Sequence, residues 1–408
     1  MIRAVVYSGD MRALATTRFV TTVLGALIVA STWGAPRALA SFECARVVAL
    51  GDLHGGIESL YTILEATEIT DRHRQWTSSD ACVVIVGDMV DRGDRSRELL
   101  DYVMSLEKQA PGQVHVTLGN HEIMNLIGDL RYVTPGEFAA YSDLETKKQR
   151  RQGYQAFLRT PAARDLSGSE RKDIFEQSYP PGWFAHREAF SPEGPYGAWL
   201  LSRPVLLRLE STLFVHGGIE VGDASRGLET LNEEILDEIA EYLRLREALV
   251  EEGSLGPLVP FGAAFAVVES HLTAREQGVD DGSSAAASEN AARFLELKSA
   301  GFIRADGPLW TRKLALEDEE SYSGDVTRTL LALGVERIVV GHTSQEDHRI
   351  TSRFDDRVFL IDTGAGPAYG GYPSALEIEA GVVRAVYPDG VETLAGVEQG
   401  EDSALSNP

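Results

Sequence analysis

Short apolar runs that stop abruptly at a glycine, histidine or asparagine recur five times along this chain. Val47-Val48-Ala49-Leu50 runs into Gly51-Asp52-Leu53-His54-Gly55, and Val83-Val84-Ile85-Val86 into Gly87-Asp88-Met89-Val90-Asp91-Arg92-Gly93. Val114 to Leu118 runs into Gly119-Asn120-His121-Glu122, Leu213 to Val215 into His216-Gly217-Gly218, and Ile338 to Val340 into Gly341-His342-Thr343. Unbroken apolar runs bounded by turn residues predict strands covered on both faces. Between the first three, the pattern changes to helical spacing, with Ile57, Leu60, Ile63 and Leu64 on one face and then Leu99, Leu100, Val103 and Leu106. Strand, helix, strand, helix, strand over residues 46–122 predicts a parallel sheet with crossover helices.

The pattern after residue 122 is less regular. Gly128 to Gly136 reads as a loop, Lys147 to Arg151 as a basic solvated run leading into a short helix at Tyr154 to Leu158, and Pro180 to Trp183 as a turn. Val205 to Leu209 predicts a strand just before the one ending at His216. Residues 228–252 predict a long helix, with Leu228, Leu231, Ile235, Ile239 and Tyr242 on one side and acids opposite. A second helix follows at Ala263 to Ala274, then an exposed loop at Asp280 to Ala287. Residues 135–210 and 220–305 read as insertions that wall or cap a site. From Val326 a helix leads to the His342 strand, and Arg357 to Asp362, Ala375 to Glu379 and Val382 to Tyr387 predict further strands. Residues 395–408 are small and acidic, as expected of a disordered tail.

Composition adds little to this picture, but charge and the two ends of the chain do. Of 408 residues, 43% are hydrophobic and 25% charged, as in soluble globular proteins. The formal net charge is −24, so the chain is a poor general binder of nucleic acid or anionic membrane. A phosphorylated ligand would have to be held by local positive charge. Arg12 and Arg18 precede an apolar stretch from Phe19 to Trp33, and Ala38-Leu39-Ala40 has the small-residue pattern of a cleavage site. That order predicts a signal peptide over residues 1–40, cleavage near Ala40, and an exported periplasmic or secreted protein with no stable membrane anchor. Met1 and Met11 are both possible starts. The two cysteines, Cys44 and Cys82, precede the first two strands. If those strands are parallel neighbours, an oxidising compartment would allow them to pair.

The residues at the strand ends carry the chemistry. In sheets of this kind, ligands gather outside the carboxyl ends of the strands. Asp52, His54, Asp88, Asn120, His216 and His342 form a set of oxygen and imidazole donors suited to Mn, Fe or Zn.

The motifs GDLHG, GDMVDRG, GNHE, HGG and GHT, in this order, resemble those of the phosphoprotein phosphatases among the calcineurin-like metallophosphoesterases. The stretch GNHEIMNLIGDLRYV, the run Gly307-Pro308-Leu309-Trp310-Thr311-Arg312 and Tyr369-Gly370-Gly371 are similar to the Shewanella-like protein phosphatase branch. The resemblance covers residues 46 to about 380. It implies an α/β sandwich of two central mixed sheets flanked by helices, with helical cap insertions, over a catalytic domain of residues 41–394. It implies two divalent metal ions: Asp52 and His54 on the first, Asp88 bridging, and Asn120, His216 and His342 on the second. Water activated between the ions would attack phosphorus in line. His121 would assist the leaving oxygen and Asp91 would orient it. Arg92 and Arg312 would clamp the phosphate, since a guanidinium fork meets two oxygens at once, and Arg131 is a further candidate for substrate contact.

The function implied is hydrolysis of phosphate monoesters on a protein, peptide or small molecule, phosphotyrosine included. A dinucleoside-polyphosphate hydrolase shares GDxHG, GNHE and GHT-type motifs, but GDLRYV and PLWTR favour the first reading. A non-catalytic metal-binding relative would show the loss of a ligand, and the six are all present.

Overall fold

The computed structural model describes residues 44–277 and 285–396. The expected signal segment, residues 1–40, lies outside them, as do residues 397–408 of the expected tail and Asp280 to Ser284 of the expected loop. The strands are β1 (Arg46–Leu50), β2 (Ala81–Ile85), β3 (Val114–Val116), β4 (Leu206–Leu209), β5 (Thr212–Val215) and β6 (Arg337–Val340). They continue as β7 (Thr351–Arg353), β8 (Val358–Leu360), β9 (Ala375–Glu379), β10 (Val382–Tyr387) and β11 (Gly390–Ala395).

Two mixed sheets result, in the orders β11-β10-β9-β1-β2-β3 and β4-β5-β6-β8-β7. Each has a parallel centre: β1, β2 and β3 run together with Val48 opposite Val83 and Val84 opposite His115, and β5, β6 and β8 do so with Phe214 opposite Val339. Helices α1 (Ile57–Ala66) and α2 (Ser96–Gln109) make the expected crossovers. Strand alternation divides the apolar residues between two layers. Val47, Ala49, Val84 and Val86 face Phe214, Val339 and Phe359 of the other sheet. Val48, Leu50, Val83 and Ile85 pack outward with Leu60, Leu64, Leu99 and Val103 of the helices. Phe214 and Phe359 have no exposed surface, and burying each is worth up to about 3 kcal/mol.

Several expectations are corrected. The basic run Lys147 to Arg151 opens the helix Lys147–Phe157, capped by Thr146 and Gln149. The Gly128–Gly136 loop ends early, because Thr134 caps a helix at Pro135–Ala139. Trp183 begins a helix that runs to Ala189, and further helices at Gly168–Ser178 and Pro195–Leu200 carried no clear period in the sequence. Ala285 to Ala287 open a helix to Glu296, and the helix placed at Val326 starts at Glu319, where Asp318 caps it. The edge strands β7 and β11 are too short or too polar to show as apolar runs. Among the described residues no helix is long and apolar enough to cross a membrane.

Cys44 and Cys82 form a disulfide. Cys82 lies within β2, opposite Val47, at the end of the sheet away from the motif loops. The closed loop, with a sequence separation of 38, predicts that Cys82→Ser lowers stability by about 3–4 kcal/mol. Thiol labelling of denatured, unreduced protein should find no reactive cysteine, and two reactive thiols per chain would contradict the bond.

Candidate metal centre

The motif loops turn sharply where the strands end, and the backbone there is strained. His54, Asp88, Asp91, Arg92 and His342 all have positive φ, between 43° and 67°. Residues with a Cβ rarely adopt this region, and strain of this kind persists only where the surroundings enforce it. Part of the enforcement is Glu122, on α3 (Asn120–Ile127). Its buried carboxylate accepts the backbone N–H of Asp88 at 2.8 Å, Met89 at 2.8 Å and Gly119 at 2.9 Å, tying two motif loops together. A side chain at Gly119 would collide with the Asp88 carboxylate.

Asp88 is the centre of the cluster. Its Oδ2 lies 3.2 Å from His216 Nε2, 3.8 Å from His54 Nε2 and 3.9 Å from His121 Nε2. Its Oδ1 accepts the His121 N–H at 2.9 Å. His54 Nδ1 donates to the carbonyl of Val90 and His216 Nδ1 to that of Val86, each at 2.8 Å, which turns both Nε2 atoms toward Asp88. Asn120 Oδ1 lies 2.9 Å and His342 Nδ1 3.1 Å from His216 Nε2. Asp52 Oδ2 is 3.8 Å from His54 Nε2, and its Oδ1 accepts the His342 N–H at 2.9 Å. Six donor residues from both sheets thus converge, as expected from the sequence.

The electrostatics of this cluster call for a cation. Burial opposes the charge on Asp88, yet His216 and His121 hold its carboxyl well below the usual range. Burial and then Asp362 push Asp52 well up. Burial lowers His54 to about 3, and burial with His216 lowers His342 to about 2, so both imidazoles are neutral and able to ligate. His216 goes the other way, raised to about 10 against its burial because Asp88 and Asp52 draw positive charge onto it. Neutral imidazoles, buried carboxylates and an amide oxygen, all within reach of one another, fit divalent metal ions. The side chains of His54, Asp88 and His121, and those of Asp88, His216 and His342, each bring three such atoms within 4.8 Å of one another.

The other expected residues surround this centre. His121 Nδ1 pairs with Asp91 Oδ2 at 2.6 Å, and Asn125 Nδ2 holds Asp91 Oδ1 at 2.9 Å. Arg92 bonds the hydroxyl of Tyr369 and lies 3.2 Å from His54 Nε2. Arg312 bonds the carbonyl of His342 and, at 3.0 Å, the hydroxyl of Thr343. Its segment is built into the site: Pro308 accepts the Gly217 N–H at 2.8 Å, and the carbonyl of Trp310 lies 3.1 Å from His342 Nε2. Arg131 is not brought to the cluster. Its guanidinium is half exposed and paired with Asp129 at 2.5–2.9 Å. The neighbouring Tyr132 reaches the site instead, its ring 5.1 Å from that of His121.

Two further histidines, His186 and His348, pack against aromatic rings outside the donor cluster. His186 is fully buried among Phe138, Tyr141 and Phe190. His348 stacks on Tyr372 at 3.6 Å.

Sequence reasoning missed Asp362, Glu122, Asn125, Tyr132 and Tyr369. Asp362 is buried beside Asp52, and burial and the Asp88 charge push it up to about 6. A signal for it existed, since Val358-Phe359-Leu360-Ile361 runs into Asp362-Thr363-Gly364 in the same way as the five motif strands.

A buried Asp–His cluster at the converging ends of two mixed sheets defines a metallophosphoesterase. Residues 45–345 match the calcineurin-like phosphoesterase family, and the chain belongs to it. It is 29% identical over 353 residues to an uncharacterised protein of Schizosaccharomyces pombe, covering 84% of this chain and 80% of that protein. It is 32% identical over 202 residues to Shewanella-like protein phosphatase 2 of Arabidopsis thaliana, covering 47% of this chain and 50% of the relative. In structure it is similar to the cold-active protein-tyrosine phosphatase of a psychrophilic Shewanella species, with a TM-score of 0.52 and 25% identity over 86% of this chain and 81% of that one. The resemblance to the Shewanella-like branch is borne out.

Proposed function

We propose that this protein is an exported, metal-dependent phosphomonoesterase that acts on phosphoprotein or phosphopeptide and prefers phosphotyrosine. The observation that carries the reading is the Asp88 carboxylate with three imidazole Nε2 atoms within 3.9 Å. Two divalent ions, Mn, Fe or Zn, held by Asp52, His54, Asp88, Asn120, His216 and His342 would polarise the phosphoryl group and lower the pKa of water. Asp91 fixes the ring of His121, leaving Nε2 to serve the leaving oxygen. Arg92, beside His54, and Arg312, beside His342, would bind the phosphate oxygens. Export is supported by the disulfide, which persists in oxidising compartments.

The preference for an aryl ester rests on two rings. The Arg92 guanidinium lies 4.9 Å from the centre of the Tyr132 ring and 5.4 Å from that of Tyr369. The same rings lie against His121 and His54, at 5.1 and 5.6 Å. A phosphate bound at Arg92 would therefore place its ester group beside aromatic faces. The name of the Shewanella structure agrees with this preference.

The test is a side-by-side assay of a phosphotyrosine peptide, its phosphoserine counterpart and diadenosine tetraphosphate. The phosphotyrosine peptide should turn over fastest, and Tyr132→Ala should narrow its lead over phosphoserine by about two- to tenfold, the worth of one aromatic contact. Faster cleavage of the dinucleotide than of either peptide would overturn the reading.

Arg312 gives a separate expectation. A hydrogen bond to a charged group is worth about 1.5–3 kcal/mol, so Arg312→Ala should lower kcat/KM by roughly ten- to a hundredfold at unchanged metal content. Lysine should restore only part of this, because it lacks the fork. Intact kinetics with a lowered Tm would instead make Arg312 a packing residue beside Trp310.

A further inference from the structure

Glu137 sits in the first turn of a helix, where a carboxylate is normally solvated and favoured by the helix N-terminus. Here it has no exposed surface, and both of its oxygens are buried without a full hydrogen bond. Among the described residues no arginine or lysine forms an ion pair with it. Its nearest polar neighbours are the Ser96 side chain and the backbone amides of Asp91 and Thr134. Burial first, and then the Asp91 charge, push its carboxyl up to about 8, so it is an uncharged acid at neutral pH. A buried acid without a partner is costly to keep. Neither the metal donors nor the phosphate clamps account for it.

What it touches is the strained part of the site. Asp91 and Arg92 are consecutive left-handed residues, with φ of 67° and 63°. The segment 132–137 braces that turn along its length. Tyr132 accepts the Arg92 N–H at 3.0 Å, Thr134 Oγ1 donates to Asp94 at 2.5 Å, and the Glu137 carboxyl lies against Asp91 and Ser96. A side chain on Gly136 would collide with the Asp94 carboxylate, so the sequence Thr134-Pro135-Gly136-Glu137 is shaped to this contact. The turn in turn sets the Asp91 carboxylate, which bonds His121 at 2.6 Å.

We propose that Glu137 is a positioning residue for the leaving-group step: from within the fold it holds Asp91, while the Tyr132 carbonyl holds the Arg92 amide, so that Asp91 fixes the ring of His121. The inference rests on the proposed acid role of His121.

The test compares Glu137→Ala, Glu137→Gln and His121→Asn on an alkyl phosphate and on p-nitrophenyl phosphate, whose leaving group needs no proton. Misplacing a catalytic group by about 1 Å can cost about a hundredfold. Glu137→Ala should therefore lose about ten- to a hundredfold in kcat on the alkyl ester and less than about threefold on the aryl ester, with KM and metal content unchanged. Glutamine, with the same shape and a donor of its own, should restore kcat. On a His121→Asn background, Glu137→Ala should add little. Should the alanine cavity prevent folding, Glu137→Leu fills the space without polar atoms and should give the same selective loss. An equal loss on both esters, no loss, or full additivity with His121→Asn would overturn the proposal. A failure of the acid role shows separately, as an equal loss on both esters in His121→Asn, and overturns both.

Discussion

Asp88→Asn is expected to lower turnover by at least about a thousandfold and to strip the protein of metal. The side chains are nearly equal in volume, so the change removes charge and little else. That charge stands at the meeting point of His54, His121 and His216, all within 3.9 Å of Oδ2. It is also the charge that raises His216 and is itself held low by the histidines around it. A neutral amide is a poor bridge between two cations, so with Asp88 in the proposed bridging position both ions would lose their shared ligand. Metal analysis of protein purified without chelator, alongside a phosphatase assay, decides the matter. Two bound metals with activity near that of the parent would remove Asp88 from the bridging position.

The second large effect concerns His121→Asn. General acid catalysis typically contributes about 10²–10⁴-fold, and a loss of that size is expected for alkyl phosphates. The loss should be far smaller for p-nitrophenyl phosphate. Metal content should be retained, because the His121 ring is committed through Nδ1 to Asp91. One competing arrangement is visible: His121 Nε2 lies near Asp88 and His54, close enough to serve as a ligand in place of Asp52. In that case His121→Asn would lose metal and would slow both esters alike. Metal content and leaving-group dependence therefore separate the two roles in one experiment.

Much of this was legible in the chain itself. The five buried strands and the donors at their ends share one local grammar, in which an apolar run stops where a turn residue and a polar ligand begin, and the structure places all six expected donors together. The chemistry at the ends of β1, β2, β5 and β6 is sequence-local, so motif reading reaches it. The residues that were missed act across distance. Glu122 serves the amides of Asp88 and Met89, Tyr369 meets Arg92, and Glu137 lies under Asp91, each a contact between segments far apart in sequence. Arg131 was a candidate because its neighbours are distinctive, yet Asp129 two residues away claims it, and the adjacent Tyr132 takes the place at the site. The helices of residues 135–200 are short and depend on aromatic packing, as where Phe157, Phe175 and Phe184 meet, so their period is weak. The edge strands β7 and β11 have no continuous apolar face to announce them.

Phosphate ester hydrolysis is proposed to depend on two metal ions held by these six residues. The most direct measurement strips the protein with a chelator, removes the chelator, and titrates manganese back while following hydrolysis of a phosphotyrosine peptide. The stripped protein should show negligible activity, and a two-ion site should give a rise that levels off at two equivalents per chain. Full activity in the stripped protein, or a plateau at one equivalent, would contradict it.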